Sequence, residues 1–304
     1  MVRMTISKGR KSMKIEVHEK KFNAKKEIGN AVNYLKWYAD TYLANCSIKY
    51  IVGMSGGKDS LIDCKLSTMA VGADKVVGLI LPNGIQKDLN DAIECCNVCG
   101  IKYHIVNIGK IYEDLEEALD TETGTVRNKV SETNDPACIR TLAILAMTRR
   151  IGGVMLNTCN RCEDVLGYST FGGDSFGAVG PLCRYTVTEI LAMGDYLGLP
   201  HHLVHKAPSD GMCGTTDEIN LSRILNIPNF TYERLGKLIR CENHDFTNEE
   251  VERIIAHYNK NKFKIEIIQV KHQEVDYSDY FDEYEHTIKS NEEYERTVKD
   301  CEEN

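Results

Sequence analysis

Apolar residues at Ile28, Val32, Leu35, Ala39 and Tyr42 recur every three or four positions, which predicts an amphipathic helix over residues 25–45. Lys49–Met54 (KYIVGM) is a short apolar run rich in β formers and reads as a buried strand, with a helix over Asp59–Val71 behind it. Lys75–Leu81 (KVVGLIL) is a second buried strand, ended by Pro82-Asn83-Gly84. A helix over 88–98, a strand over 102–107 and an acidic helix over 110–120 continue the alternation. Pro136 stands where a helix can begin, so Ala137–Arg150 reads as helix and Gly153–Asn157 as a fourth strand. Beyond Gly167 the chain turns glycine-rich and then mostly helical to about Asn261, with Lys264–Val270 read as one late strand. Strands alternating with helices imply βαβ units. The expected fold is α/β, a doubly wound parallel sheet with a helical C-terminal portion, its ligands at the carboxyl edge of the sheet.

Composition narrows this only slightly. Among 304 residues, 42% are apolar and 27% charged, as in ordinary globular proteins, and no apolar run approaches the ~20 residues that span a bilayer. Residues 1–26 hold nine Lys/Arg against two Glu without an apolar stretch, which does not read as a secretory signal. A cytoplasmic setting with reduced thiols is therefore expected for the 12 cysteines. Gln273–Asn304 carries a net charge of −9, so the rest of the −8 chain is close to neutral at +1. Neither a nucleic acid nor a membrane is the expected partner. The chain divides into a basic arm over 1–25, a central domain over 26–264 and an acidic tail over 265–304.

Chemistry enters with Ser55-Gly56-Gly57-Lys58-Asp59-Ser60, set between a buried strand and a helix. Two glycines let the backbone approach an anion closely, and the helix behind them presents free N–H groups and a partial positive charge. Ser55 and Ser60 add hydroxyl donors and Lys58 a cation. Asp59 is misplaced beside phosphate unless a divalent metal lies between them. The implied ligand is a polyphosphate with Mg²⁺. The G-x-x-x-x-G-K-[ST] spacing of the other common phosphate loop is absent.

This hexapeptide resembles the SGGxDS loop of the ATP pyrophosphatases. Residues 157–174, NTCNRCEDVLGYSTFGGD, are similar to a segment of the NAD synthases through Thr158, Asn160, Arg161, Glu163, Gly167, Tyr168, Thr170, Gly173 and Asp174. Pro181-Leu182, Tyr196-Leu197-Gly198-Leu199-Pro200, Lys206-Ala207-Pro208-Ser209 and Thr216-Asp217-Glu218 continue the likeness downstream. Asn33-Tyr34-Leu35 and Leu81-Pro82-Asn83-Gly84, with Gln86, extend it upstream. It covers about residues 28–220 in one order.

The resemblance implies an adenine-nucleotide α-hydrolase-like fold and a homodimer with active sites near the subunit interface. The implied reaction is ATP-dependent amidation of nicotinic acid adenine dinucleotide by ammonia through an acyl adenylate, releasing pyrophosphate and AMP. Gly53, Met54, Ser55, Gly56, Gly57, Lys58, Asp59, Ser60, Gln86, Thr158 and Ser209 carry over as the ATP site. Lys58 and Asp59 are the expected catalytic residues, Asp59 and Glu163 the Mg²⁺ ligands, and Arg140 and Lys264 the contacts to the second substrate. Trp37, Tyr38 and Tyr42 on the first helix are a candidate subunit contact.

Several positions depart from the family's pattern. Cys138 stands where relatives place an arginine that meets the second substrate, Val187 where a lysine commonly meets phosphate, Ala178 in place of an aspartate and Phe263 in place of a histidine. Arg184 is a candidate replacement for the missing lysine charge. Two other readings remain open on sequence alone. Cys96/Cys99 and Cys159/Cys162 form two CxxC pairs, which fits a tRNA-thiolating enzyme with a cysteine-held cluster. The departures also fit an ATP-binding relative that has lost its chemistry.

Overall fold

The computed structural model describes residues 22–207 and 216–266, and every structural statement below concerns these. Four strands, β1 (Tyr50–Gly53), β2 (Val76–Ile80), β3 (Lys102–Ile105) and β4 (Val154–Met155), form one parallel sheet in the order β3-β2-β1-β4. Parallel neighbours need crossovers, and the chain supplies helices: α2 (Lys58–Val71) after β1, α3 (Leu89–Cys99) after β2, then α4 (Gly109–Thr123) and α5 (Lys129–Ile151) before β4.

Side chains alternate across β1. Tyr50 and Val52 enter a core shared with α2, α3 and the first helix α1 (Ala24–Tyr42), whereas Ile51 enters the opposite core with Leu79, Ile108, Tyr112 and Ile144. Both faces of the sheet are thus covered, as the near-continuous apolar strands require. Asn23 caps α1 by accepting from Lys26 N at 3.1 Å, and the Tyr50 hydroxyl donates to the Leu35 carbonyl, tying α1 to the sheet.

The C-terminal portion is helical, as expected: α6 (Arg161–Leu166), α7 (Val187–Tyr196), α8 (His201–Val204), α9 (Asp217–Leu225), α10 (Tyr232–Ile239), α11 (Asn248–Asn261) and α12 (Phe263–Glu266). Leu166, Leu221, Leu225, Phe230, Leu235 and Ile254 build a second core beneath α6. Among the described residues no helix is long and apolar enough to cross a membrane.

Two expectations need correction. The helix read as starting after Pro136 begins at Lys129, where Asn128 and Ser131 form a reciprocal capping box, and Pro136 lies inside it. Proline there forfeits one intrahelical hydrogen bond, while the capping box and Pro136's own burial hold the first turns. The late strand is also absent at its start: Phe263–Glu266 is the helical turn α12, and residues 267–270 lie outside the described residues.

Candidate active site at the junction of β1 and β4

The strand order reverses direction between β1 and β4. The first three strands step outward on one side of β1, and β4 returns to its other side. At such a junction the loops leaving adjacent strands diverge and leave a crevice at the carboxyl edge. Ser55–Ser60 spans the loop after β1 and the first turn of α2, and Thr158–Glu163 spans the loop after β4 and the first turn of α6.

The first loop is built around Gly56, whose φ is +82°. A Cβ there would meet Ala92 N at 2.8 Å and Asp88 O at 3.0 Å, so only glycine fits against the start of α3. Lys206 holds that start in place, pairing with Asp88 at 2.9 Å and Asp91 at 2.6 Å. Gly57 is the N-cap of α2 and brings no side chain to cap it. The first-turn N–H groups of α2 therefore remain available to an anion. The Ser55 and Ser60 hydroxyls are 3.2 Å apart, and Ser60 Oγ donates to Gly57 O at 3.0 Å. Met54 N donates to Leu79 O at 2.8 Å, while Gly53 lies 3.0 Å, at an added Cβ, from Ile144 Cδ1. These contacts fix the strand end on which the loop is mounted.

The two carboxylates read from sequence as metal ligands come together. Asn160 caps α6 by accepting from Cys162 N and Glu163 N, and Glu163 Oε2 accepts from Asn160 N at 2.9 Å. The same Asn160 turns its Nδ2 toward Asp59 Oδ1 at 3.5 Å. Lys58, only 6% exposed, donates to Asp59 Oδ2 at 2.8 Å. Burial pushes Glu163 well above the usual carboxylate range, and the Asp59 charge adds to that, with Lys58 opposing. Burial works against the Lys58 ammonium, but Asp59, Glu163 and Asp217 outweigh it and raise its pKa. The site is thus an excess of negative charge around one lysine, a balance that a cation or a cation–phosphate complex would complete.

Sequence reading missed two nearby groups. Asp63, one turn below Asp59 on α2, is fully buried with neither carboxylate oxygen hydrogen-bonded, and burial, then Asp59 and Glu163, raise its pKa. Tyr232 at the start of α10 is 2% exposed, its hydroxyl lacks a hydrogen-bond partner, and it feels both Glu163 and Asp217. Asn160 was legible: Asn-x-x-Glu ahead of an apolar turn is a capping-box pattern, and it announces the geometry of Glu163. Asp63 and Tyr232 left no such signal, because burial without a partner is a tertiary fact.

The remaining expected residues are dispersed around this centre. Thr158 lies half-buried in the loop after β4 and Gln86 half-buried in the loop after β2. Arg140 on α5 donates from Nε to Leu81 O at 2.9 Å, and burial lowers its pKa. Lys264 gives its ammonium to Gly167 O and Ser169 O, each at 2.9 Å. Ser209 lies outside the described residues. Cys138 Sγ contacts Phe171 O at 3.8 Å, and Val187 is buried at the first position of α7. Arg184 is exposed, and its carbonyl accepts from Arg240 at 2.7 Å. At the carboxyl ends of β2 and β3 an open cleft of about 570 Å³ is lined by Asn83, Gly84, Asn107, Gly109, Lys110 and Glu113. Asn107 shapes it by pairing with both Gly84 N and Gly84 O at 3.1 Å.

The two CxxC pairs do not meet. Cys96 and Cys99 pack with Cys64 and Cys95 in the core of α2 and α3, while Cys162 belongs to the second core beneath α6. Among the described residues no group of three His, Cys, Asp or Glu side chains is arranged to hold a metal.

Comparison with known proteins agrees with this architecture. The NAD synthase family model matches residues 28–268. The NH3-dependent NAD+ synthetase of Thermococcus sibiricus is 35% identical over 190 residues, covering 62% of this chain and 70% of that protein. That of Pyrococcus furiosus is 30% identical over 250 residues, covering 79% and 90%. Among solved structures, an NMN synthetase from Francisella tularensis superposes with a TM-score of 0.70 at 25% identity, covering 83% of this chain and all of that one. An NH3-dependent NAD synthetase from Campylobacter jejuni shares the fold with a TM-score of 0.63 at 22% identity, covering 82% and 100%. A family model that matches most of the chain and relatives at this identity lead to one conclusion: the chain belongs to the NAD synthase family.

Proposed function

We propose that this ligase forms a C–N bond by amidating nicotinic acid adenine dinucleotide with ammonia at the expense of ATP, yielding NAD⁺, AMP and pyrophosphate. One observation carries the reading. Asp59 and Glu163, from the first turns of the helices that follow adjacent strands, converge on Asn160 beside the uncapped start of α2.

The residues fit Mg²⁺. Its preferred donors are carboxylate oxygens, and it usually takes one or two of them together with substrate phosphates and water. Asp59, 19% exposed, and the half-buried Glu163 are such a pair, and among the described residues no third carboxylate, His or Cys joins them in a metal-holding group. When bound, the ion neutralises phosphate charge and fixes the triphosphate's orientation.

The chain's own groups supply the rest. The α2 N–H groups and the Ser55 and Ser60 hydroxyls bind phosphate oxygens. Lys58 stays protonated at neutral pH and offsets charge on the leaving pyrophosphate; one unit charge at 4 Å is worth ~4 kcal/mol at an effective dielectric of 20. A nicotinate carboxylate oxygen attacks the α-phosphorus of ATP, and the bond to the bridging oxygen of pyrophosphate breaks. Ammonia then adds to the acyl carbon, loses a proton, and AMP departs with the former carboxylate oxygen. Catalysis by the protein is positioning and charge neutralisation. The test is turnover with ATP, ammonia and the dinucleotide: equimolar NAD⁺ and AMP support the reading, and ATP binding without AMP formation refutes it.

A second reading replaces the dinucleotide by nicotinic acid mononucleotide. Cys138 in place of an arginine favours it, as does the likeness to the Francisella tularensis NMN synthetase. The ratio of kcat/KM for the two substrates decides between them.

The active form is a homodimer in this reading, and the structure offers a face for it. Ile111, Leu115 and Leu119 form an exposed stripe along α4, with Val126 and Val130 exposed just beyond it and Ile105 exposed on the edge strand β3. A second copy of the chain covering this surface removes an apolar face from water. The cytoplasm is the proposed compartment, a reducing setting that suits the free cysteines of the described residues.

A further inference from the structure

We propose that Lys264 is a positioning residue that sets Glu163 through α6. The inference rests on the metal role given to Glu163.

The chain of contacts is short. Glu163 sits in the first turn of α6, and α6 is only six residues long, so whatever fixes its end also fixes its start. The helix ends at Gly167, a left-handed C-cap with φ +57°, and Tyr168 N donates back to Glu163 O at 3.0 Å. The residues on either side of Tyr168, Gly167 and Ser169, present their carbonyls, and Lys264 Nζ donates to both at 2.9 Å. One ammonium therefore clamps the two carbonyls flanking the residue that is bonded to Glu163's own backbone. A cation at the carboxyl end of a helix is also where the helix dipole favours it.

Other contacts of the same segment act on the same loop. A Cβ on Gly167 would fall 2.4 Å from Asn261 Cβ, so the end of α11 presses directly on the C-cap. Phe263 packs on Phe171 with ring centroids 6.1 Å apart. Beyond Ser169 the loop is fastened to the sheet side, through Thr170 Oγ1 to Asn134 Oδ1 at 2.8 Å and Thr141 Oγ1 to Gly173 O at 2.7 Å. Burial lowers the Lys264 pKa, with Asp174 the opposing charge, and both donated bonds go to main-chain oxygens rather than into the crevice. The turn at 261–264 is a strap across the foot of α6.

The test compares Lys264→Met, Lys264→Arg and Phe263→Ala in the full-length protein. In Lys264→Met, kcat is expected to fall roughly tenfold or more, as for other groups that orient a metal ligand, with KM for the dinucleotide changed less than about threefold. Mn²⁺ binding in the presence of a non-hydrolysable ATP analogue, read by electron paramagnetic resonance, is expected to weaken by about the same factor. Arginine keeps two donors and should recover most of both. A rise in KM with kcat and Mn²⁺ affinity unchanged makes Lys264 a substrate contact and overturns the proposal. An arginine variant no better than methionine overturns it as well. Should Lys264→Met not fold, Phe263→Ala decides: a smaller loss of kcat and Mn²⁺ affinity supports the strap, and none refutes it. The two readings fail separately, because intact Mn²⁺ affinity in Asp59→Asn removes the metal reading whatever Lys264 does.

Discussion

Asn160 Nδ2 lies 3.5 Å from Asp59 Oδ1, across 101 positions of sequence, while the same side chain caps the helix that bears Glu163. One residue thus links the two strand-end loops. Asn160→Ala removes a fully buried cap, and such caps are worth about 0.5–2 kcal/mol. Chemical unfolding should show that loss together with a fall in kcat. Asn160→Asp keeps the cap but sets a third carboxylate beside Asp59 and Glu163, so it should preserve most of the stability and still lose activity. Equal activity in the aspartate variant and the wild type would separate the cap from the site.

Asp63 makes stability depend on pH. Its folded-state pKa stands well above that of an ordinary aspartate, through burial first and then Asp59 and Glu163. Above pH 4 the unfolded chain ionises while the folded one keeps its proton, so the folded state binds more protons and loses stability as pH rises. The limiting slope for one such group is ~1.4 kcal/mol per pH unit. Asp63→Asn abolishes this term. Urea unfolding at pH 5 and pH 8 should show the variant gaining on the wild type as pH increases, and a pH-independent difference would count against it.

Gly56 admits no side chain. Gly56→Ala combines a φ of +82° with Cβ approaches of 2.8 and 3.0 Å to main-chain atoms of α3. The cost should be on the order of 2–4 kcal/mol, or a displaced phosphate loop. Calorimetry with an ATP analogue should read at least tenfold weaker binding in a folded variant.

The strand–loop–helix around Ser55–Ser60 was readable because local pattern and motif agreed there: an apolar strand, two glycines, then a helical period. Asn160-x-x-Glu163 was readable for the same reason. The start of α5 was not, because Pro136 looks like a first helical residue and the true signal, Asn128 with Ser131, lies in a polar stretch without apolar period. Lys264–Val270 alternates like a strand, yet residues 263–266 form a turn of helix whose Lys264 is spent on the loop after α6. Asp63 was invisible because its spacing matches the buried face of α2, where the pattern leads one to expect an apolar residue.

The exposed stripe on α4 carries the dimer reading. Leu115 is 42% exposed at its centre, so Leu115→Glu should cost the monomer little while placing a charge in the subunit contact. The dimer reading predicts that sedimentation shows a dimer for the wild type and a monomer for the variant. A wild-type monomer would contradict the dimer reading, and a variant dimer of unchanged affinity would move the contact elsewhere, the aromatic face of Trp37 and Tyr42 on α1 being the next candidate.

The most direct measurement is a Mg²⁺ titration of NAD⁺ and AMP formation by the wild type, Asp59→Asn and Glu163→Gln. If the two carboxylates jointly hold the ion on the ATP phosphates, the wild type makes NAD⁺ and AMP in equal amounts. Each variant should then need roughly tenfold or more Mg²⁺ for half-maximal rate, and the double variant should do little worse than either alone. A variant with the wild type's Mg²⁺ dependence and rate would contradict the shared site.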